Sequence, residues 1–241
     1  MKFKLDIDEK TELTTAQLKW RHRMYIAALR LSDDFGLDAV GIQYQQGLTD
    51  LSPASDLAEG ILNNAEHPPV KSRDGKRILR DGHAFPHFNE ADKGEAVGQI
   101  ITERVGKAMG LDPATILHDV HWGEDYNGQL VWLLEISESV PPSHLTGGYA
   151  GEQGWRQNPE RIPLGGSTLK GVSKPGEVMY SRAYIAHGAL HVDLGRVTAM
   201  TLPAAETERR WQATNPEWPV MHAVIHRVTR DQFMARHRAI T

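Results

Sequence analysis

Residues 129–136 read Gln-Leu-Val-Trp-Leu-Leu-Glu-Ile, a short apolar run typical of a buried β-strand. Glycine and proline separate it from further runs of the same kind downstream. Those runs cover residues 178–185, 190–194, 197–202 and 218–225. Five of the six tryptophans also lie in this half. The pattern predicts a β-rich antiparallel domain over residues 122–241, barrel-like or a sandwich, that ends in a helix capped by Thr229.

In the first half of the chain the apolar residues are spaced differently. Its apolar residues follow helical spacing, with Thr14 or Thr15 placed to cap the first helix and Gly36 placed to end it. Short β-like runs lie between the helices, which is typical of an α/β layer. Helices are predicted over 14–34, 52–64 and 89–109, and strands over 39–44 and 115–120. The fold class is therefore α/β, with an α/β substrate- and metal-binding domain over residues 1–121 and the β-rich domain after it.

The composition is that of an ordinary globular chain. Lys and Arg number 27 against 31 Asp and Glu, a net charge of −4 with the 12 histidines counted as neutral. This mild acidity argues against a nucleic-acid partner, which requires a basic patch. The chain contains no cysteine, so disulfides and thiol nucleophiles are excluded. Any metal must be bound by His, Asp, Glu or main-chain oxygen.

The sequence contains no membrane or export signal of the usual kind. The first ten residues, MKFKLDIDEK, lack the apolar stretch of an export signal, and no long apolar run occurs elsewhere. We expect a cytoplasmic protein with no membrane partner.

Glu90 and Asp92 stand at the predicted start of the third helix. Acidic side chains in a first helical turn favour the helix dipole, and Asn89 beside them is a good capping residue, so a structural role is one interpretation. A carboxylate that binds a metal or moves a proton is the other. Spacing alone leaves both open.

Asp119 is predicted at the end of the strand over residues 115–120. Ligands of α/β sheets bind outside the carboxyl ends of strands, so this acid is well placed to contact a substrate. Side-chain alternation would put Asp119 and His121 on one face and His118 on the other. The cluster is either a local metal site or a set of packing residues beside Trp122.

Other short patterns carry no chemistry. His83 and His87 are four residues apart, but Pro86 lies between them and the zinc-protease helix motif is excluded. His222 and His226, in a predicted strand, would be about 13 Å apart by strand rise and cannot chelate one ion as a pair. The Gly-Gly pairs match neither a phosphate loop nor a dinucleotide fingerprint.

Several motifs occur in a fixed order along most of the chain. They are Gly41-Ile42-Gln43-Tyr44-Gln45, Ala54-Ser55-Asp56-Leu57-Ala58-Glu59-Gly60, Phe88-Asn89-Glu90-Ala91-Asp92, His118-Asp119-Val120-His121-Trp122-Gly123, Gly147-Gly148-Tyr149, Arg156-Gln157, Glu208-Arg209-Arg210-Trp211 and Trp218-Pro219-Val220-Met221. This ordered set resembles the C-terminal half of the L-fucose isomerase-like sugar isomerases, a family related to L-arabinose isomerase.

The resemblance implies an aldose–ketose isomerase that acts on a small sugar and assembles into homo-oligomers with active sites at subunit boundaries. It also implies a divalent cation, commonly manganese with magnesium or cobalt as alternatives, held by one Glu, one Asp and one His. Glu90 and Asp119 match the two carboxylates and would be the catalytic residues. The chemistry agrees, because forming an ene-diol requires a carboxylate base and a cation on the sugar oxygens. The α/β domain of this chain is only partial relative to the family.

The third ligand has no direct match. The family's histidine stands in an Asn-His-Ile segment, and His237 lies three or four positions before the place where that segment should begin. We take His237 as the third metal ligand, with His121 or a residue of a neighbouring subunit as alternatives. Trp122, Trp155 and Trp218 are candidates to stack on the sugar or to pack in the core.

Two other functions stay open. One is a non-catalytic sugar-binding or assembly module that keeps the isomerase fold with an incomplete site. The other is a metal-dependent hydrolase built on His118, Asp119 and His121.

Overall fold

A computed structural model of the protein describes residues 2–3, 13–89, 93–136, 140–148, 153–156 and 163–240. Its helices are α1 (Thr15–Phe35), α2 (Tyr44–Gly47), α3 (Asp56–Leu62), α4 (Lys93–Ala108), α5 (Ala204–Gln212) and α6 (Arg230–Ile240), with a 3₁₀ turn at Pro142–His144. Its strands are β1 (Lys2–Phe3), β2 (Val40–Ile42), β3 (Val70–Lys71), β4 (Ile78–Leu79), β5 (His87–Asn89), β6 (Asp119–Tyr126), β7 (Gln129–Glu135), β8 (Gln153–Arg156), β9 (Ser167–Lys170), β10 (Gly176–Ala186), β11 (Ala189–Ala199) and β12 (Val220–Ile225). None of the helices in these ranges has the length and apolar character needed to cross a membrane.

Five strands form the main sheet in the order β10-β11-β12-β7-β6, and each neighbouring pair is antiparallel. The chain is thus a mixed α/β protein with a β-rich second half, as the sequence predicts. The predicted runs 190–194 and 197–202 are not separate strands, because β11 pairs with β10 along its whole length. In the described part of the chain β10 and β6 are the edge strands.

Each face of the main sheet packs against a helix. Trp132 of β7 and Met221 of β12 lie in one apolar cluster, and Phe233 of α6 covers it with its ring centroid 5.2 Å from that of Trp132. Leu133 of β7 lies in another cluster with Trp211 of α5. Since neighbouring residues of a strand point to opposite faces, we call these the Trp132 face and the Leu133 face.

The first half is built around α1. The Thr14 hydroxyl accepts a hydrogen bond from the Gln17 N–H at 3.2 Å, and the Thr14 N–H donates to Gln17 Oε1 at 2.9 Å, a capping box. Gly36, with φ of 62°, ends the helix in the left-handed conformation, which confirms the predicted stop. Leu29 of α1 and Leu57 of α3 share one buried core.

The strand predicted over residues 115–120 is wrong in position, because β6 begins only at Asp119. Asp119 lies opposite Glu135, the last residue of β7, so the residues before it have no β7 residue beside them to form a ladder. Asp119 therefore stands at the amino end of an antiparallel strand. The domain boundary predicted between residues 121 and 122 falls inside β6.

Two predicted helix starts are also wrong. The main chain before α3 is bound to other parts of the fold: the Ala54 N–H donates to the Gly165 carbonyl at 3.0 Å, and the Ala54 carbonyl accepts from Arg21 Nε at 2.9 Å. That segment is therefore not free to be helical, and α3 begins at Asp56. Asn89 belongs to β5 and does not cap α4, which begins at Lys93.

Candidate functional site

Two parallel strands end side by side in the first half of the chain. β2 and β5 pair with Ile42 opposite Asn89, so Gln43 and Glu90 are the residues that follow the two carboxyl ends. This edge of a parallel pair is where α/β sheets bind ligands. Glu90 itself, like Asp92, lies outside the described residues.

His87 is the best-defined polar group beside this edge. Its ring is buried, and its Nε2 accepts a hydrogen bond from the Ile42 N–H at 3.1 Å. The side chain of Asn63 accepts from the His87 N–H at 2.8 Å and donates to the His87 carbonyl at 3.0 Å. A nitrogen that accepts a hydrogen bond carries no proton, so the ring is neutral with its proton on Nδ1.

Burial lowers the pKa of His87 to about 3. The Glu59 carboxylate lies 3.8 Å from Nε2, which is beyond hydrogen-bond distance. Its negative charge would favour a protonated ring, but protonation would break the bond from Ile42. The neutral form is therefore the one that the geometry supports.

Several buried polar atoms at or near this edge lack a hydrogen-bond partner among the described residues. They are His87 Nδ1, Gln43 Oε1 and both amide atoms of the Asn64 side chain. Buried polar groups are nearly always paired, so these atoms mark a place where water or a ligand is needed. Sequence reasoning missed Gln43, because the strand predicted over 39–44 included it, whereas β2 ends at Ile42. Asn64 gave no signal.

Asp119 is exposed at the start of β6. Its carboxylate makes no hydrogen bond or ion pair with any residue in the described ranges. A free, solvated carboxylate of this kind is available to a cation or a substrate.

Glu135, opposite Asp119, is buried and already bound. Its Oε2 lies 2.9 Å from His121 Nε2 and accepts from Asn215 Nδ2 at 3.2 Å, and its Oε1 accepts from the Asn215 N–H at 3.0 Å. Glu135 therefore fixes the loop after α5 to the Leu133 face.

A β-bulge between Val120 and Trp122 breaks the side-chain alternation of β6. Trp122 takes the position opposite Leu133, so Trp122 lies on the same face as Asp119. The predicted pairing of Asp119 with His121 assumed an unbroken strand. The His121 ring is held by Glu135 instead.

His118 does not join Asp119 and His121 in a metal site. Its Nε2 is buried without a hydrogen-bond partner among the described residues, and burial, with the nearby His144 as a lesser cause, lowers its pKa to about 3. In the described ranges no group of three or more His, Asp or Glu side chains is arranged to hold a metal ion. The hydrolase hypothesis on His118, Asp119 and His121 has no structural basis.

His237 belongs to α6, four residues after Phe233, and its side chain lies outside the described part. α6 covers the Trp132 face, whereas Asp119 is in register with Glu135 of the Leu133 face. The two predicted ligands of one chain thus belong to elements on opposite sides of the sheet.

The three tryptophans that were candidates to stack on a sugar have different surroundings. Trp122 packs in the Leu133-face cluster, with the Arg210 guanidinium 5.2 Å from its ring centroid. The Trp218 carbonyl accepts a hydrogen bond from Trp211 Nε1 at 2.7 Å. The side chain of Trp155 lies outside the described residues. Trp122 is thus a packing residue.

α5 contains an ion pair with a buried arginine, which sequence reasoning missed. Arg210 is fully buried, with Nε 2.6 Å from Glu206 Oε1 and Nη1 donating to the Val131 carbonyl at 3.1 Å. Hydrogen bonds from Arg209 and then Arg210 lower the pKa of Glu206 to about 2. The spacing of four residues between Glu206 and Arg210 was the available signal.

His222 is buried on the same Leu133 face. Neither of its ring nitrogens has a hydrogen-bond partner among the described residues. Burial, followed by the charge of Arg210, lowers the pKa of His222 to about 4. The ring is therefore neutral and is a second acid-sensitive point in the core.

Comparison of the sequence with protein-family models and with curated proteins finds no match.

Proposed function

We propose that the protein is a metal-dependent aldose–ketose sugar isomerase of the L-fucose isomerase-like family, with Glu90 and Asp119 as its catalytic carboxylates. The observation that supports this best is the carboxyl edge of β2 and β5. Glu90 directly follows that edge in the sequence, and Gln43 Oε1 at the edge and the side-chain amide of Asn64 are buried without a hydrogen-bond partner among the described residues. Amide groups of this kind both donate to and accept from sugar hydroxyls.

The proposal includes a divalent cation bound by side chains of this protein. The described side chains alone do not form a three-ligand site, so no reaction step is assigned to the cation. Asp119 fits as one ligand because its carboxylate is free, and Glu90 and His237 are the proposed others. Oxygen ligands with one imidazole suit manganese, with magnesium or cobalt as alternatives. When bound, the cation would supply positive charge to the two oxygens of an ene-diolate.

The chain's own part in the reaction is to move one proton. An aldose becomes a ketose when a base removes the proton from C2 and returns it to C1, while the hydroxyl proton passes from O2 to O1. Glu90 or Asp119 is the base. The electron pair moves within the sugar, so no external oxidant or reductant is required.

We place the complete site at a boundary between subunits of a homo-oligomer. Within one chain α6, which carries His237, covers the face opposite to that of Asp119. A His237 supplied by a second subunit avoids this conflict. A cytoplasmic location, with neither nucleic acid nor membrane as a partner, is part of the same proposal.

Closure of the second half into a barrel is also proposed. Val172, just after β9, bridges Val220 of β12 in parallel, and the Ser173 N–H donates to the Val220 carbonyl at 2.9 Å. Leu145 bridges Ser173 on the other side. The chain after β9 therefore runs along the end of β12, and this contact between the β9 segment and the main sheet is what supports the proposed closure.

Isothermal titration with Mn²⁺, together with NMR of aldoses in D₂O, tests the function. We expect wild-type protein with Mn²⁺ to exchange the C2 proton of at least one aldose and to form its ketose. Glu90→Gln and Asp119→Asn should each weaken Mn²⁺ binding at least tenfold and abolish this exchange. Asp125→Asn, a change of another acid of β6 whose Oδ1 accepts from the Gly128 N–H, is the matched control and should leave both unchanged.

Two results would count against the isomerase. If wild type, Glu90→Gln and Asp119→Asn bind Mn²⁺ with the same affinity, Glu90 and Asp119 are not metal ligands. Sugar binding without C2 exchange in the presence of Mn²⁺ indicates the alternative function, a non-catalytic sugar-binding or assembly module.

A shared site predicts complementation. Mixed oligomers of Asp119→Asn and His237→Ala chains contain some sites in which both residues are native. Mixing should therefore restore part of the activity that each variant lacks alone.

A further inference from the structure

The amino ends of β2 and β5 border a cavity of about 370 Å³. It lies at the end of this strand pair opposite to the edge that Glu90 follows. Asp38, two residues before β2, and Pro86, directly before β5, line the cavity, and the Val40 N–H donates to the Pro86 carbonyl at 3.1 Å. The volume is within the range of small-molecule sites, about 300–1,000 Å³. The proposed isomerase site does not use this cavity.

One face of α4 forms a wall of the cavity. The spacing of three and four residues places its lining side chains on a single helix face. They are Ile100, Glu103, Arg104 and Lys107. Arg104 Nη2 lies 3.0 Å from Asp38 Oδ1. In the described part of the chain neither Glu103 nor Lys107 has an ion-pair partner.

Arg80 lines the cavity from a different element, the segment after β4. Its guanidinium carbon lies 4.5 Å from the ring centroid of Phe85, and its Nη2 donates to the Leu37 carbonyl at 2.8 Å. No carboxylate among the described residues pairs with it. A guanidinium has five N–H donors, so Arg80 is held in place with donors to spare.

The main chain of Arg80 is also held in an unusual conformation. Its φ is 51°, in the left-handed region that residues other than glycine rarely adopt. The Arg80 carbonyl accepts from the His83 N–H at 2.8 Å and from His67 Nε2 at 2.9 Å. Strained residues that their surroundings hold in this way are concentrated at ligand sites. Arg80 is therefore preorganised for a ligand.

The charges around the cavity favour an anion. Arg80, Arg104 and Lys107 face Asp38 and Glu103, and the ion pair between Arg104 and Asp38 leaves two cations against one carboxylate. Arg104 and Lys107 also oppose the negative end of the α4 dipole, which is a structural reason for their presence. That reason does not account for Arg80, which is not part of the helix.

We propose that this cavity binds a small anion that carries a phosphate group, held by Arg80 and Lys107. A phosphate monoester has up to about two negative charges near pH 7, which matches the two unpaired cations, and both side chains are common phosphate ligands. Glu103 accepts a hydrogen bond from a hydroxyl of the same ligand. Inorganic phosphate and a phosphate monoester share the chemistry of the anion. This inference does not depend on the isomerase proposal.

Isothermal titration at low ionic strength, with inorganic phosphate and glycerol 3-phosphate as probes, tests the site. Wild type should bind at least one probe saturably, and Lys107→Gln and Arg80→Gln should each weaken binding at least tenfold. Asp38→Asn should strengthen binding severalfold, because it removes a negative charge and releases Arg104. Tighter binding of glycerol 3-phosphate would assign the site to a monoester, and equal binding would assign it to inorganic phosphate.

Lys19→Gln is the matched control, because Lys19 is an exposed lysine of α1 that does not line the cavity. It should leave the affinity unchanged. Circular dichroism checks folding, and if Arg80→Gln is unfolded, Lys107→Gln decides, since Lys107 is exposed. Three results would overturn the proposal: a wild type that binds neither probe, equal affinities of Lys107→Gln and Lys19→Gln, or weaker binding by Asp38→Asn.

Discussion

Acid should destabilise the protein because it protonates His87 in the unfolded chain. Replacing His87 with glutamine measures how much of the loss of stability this residue causes. The ring is buried and neutral, and its Nε2 accepts from the Ile42 N–H of the neighbouring parallel strand. In His87→Gln the side-chain carbonyl can accept the same bond, but it does not titrate. The variant therefore keeps the β2–β5 contact and removes one proton-binding group.

The direction of the pH effect on stability follows from the lowered pKa of His87. The ring has a pKa of about 3 in the folded protein and about 6.5 in the unfolded chain, so below pH 6.5 the unfolded state binds the extra proton. Stability is fully present above pH 6.5 and is lost as the pH falls toward 3. Between pH 7 and pH 5 this costs the folded state about 2 kcal/mol. His118 and His222 act in the same direction, so the wild type should lose more than this amount.

Urea unfolding followed by tryptophan fluorescence at pH 7 and pH 5 measures this cost. The loss of unfolding free energy between the two pH values should be smaller in His87→Gln than in wild type by about 2 kcal/mol. His22, an exposed residue of α1, gives the control His22→Gln, which should leave the loss at its wild-type value. An equal loss in His87→Gln and wild type would refute the neutral buried ring and with it the inferred tautomer.

Two packing substitutions test the first-half core by the same unfolding measurement. Leu57→Ala, at a fully buried position of α3, should cost about 2–5 kcal/mol, whereas Leu31→Ala at a half-exposed position of α1 should cost under about 1 kcal/mol. Gly41→Ala should cost about 1–3 kcal/mol, because the added Cβ would overlap the ring of Phe88. Gly47→Ala is its control, since nothing lies within 4 Å of the added methyl group, and it should be neutral.

Features set by neighbouring residues were predictable from the sequence. The capping box at Thr14 and the left-handed Gly36 are local hydrogen-bond and backbone preferences, and both are present. Thr229 likewise caps α6, with Gln232 as the reciprocal partner. The strand at residues 129–136 was also found, because its apolar run is buried on both faces of the sheet.

Features set by a distant partner were not predictable in this way. Residues 115–118 have strand-like composition, but in the described part of the chain no strand pairs with them. The bulge after Val120 depends on the register against β7, and composition does not reveal it. The segment before α3 fails to be helical because Arg21 and Gly165 bind its main chain.

In the candidate site, too, local features were predictable and contacts with distant residues were not. The sequence predicted Asp119 as a metal ligand and catalytic acid, and this role stays a prediction. Its supposed neighbour His121 is instead held by Glu135, a contact that joins two strands and cannot be read from spacing. The place of Gln43 beside β5, with its buried Oε1 lacking a partner among the described residues, became visible only in the structure. Glu90, the other carboxylate of the prediction, lies outside the described residues.

A metal site shared between subunits requires an interface that brings α6 of one copy to β6 of another. In one chain α6 covers the Trp132 face, whereas Asp119 is in register with Glu135 of the Leu133 face. β6 is an edge strand of the main sheet in the described part of the chain, so a second copy can approach Asp119 from outside the sheet. The proposed interface therefore lies at β6, and mixed oligomers of Asp119→Asn and His237→Ala chains test it directly, because only an interface of this kind lets the two variants complement each other.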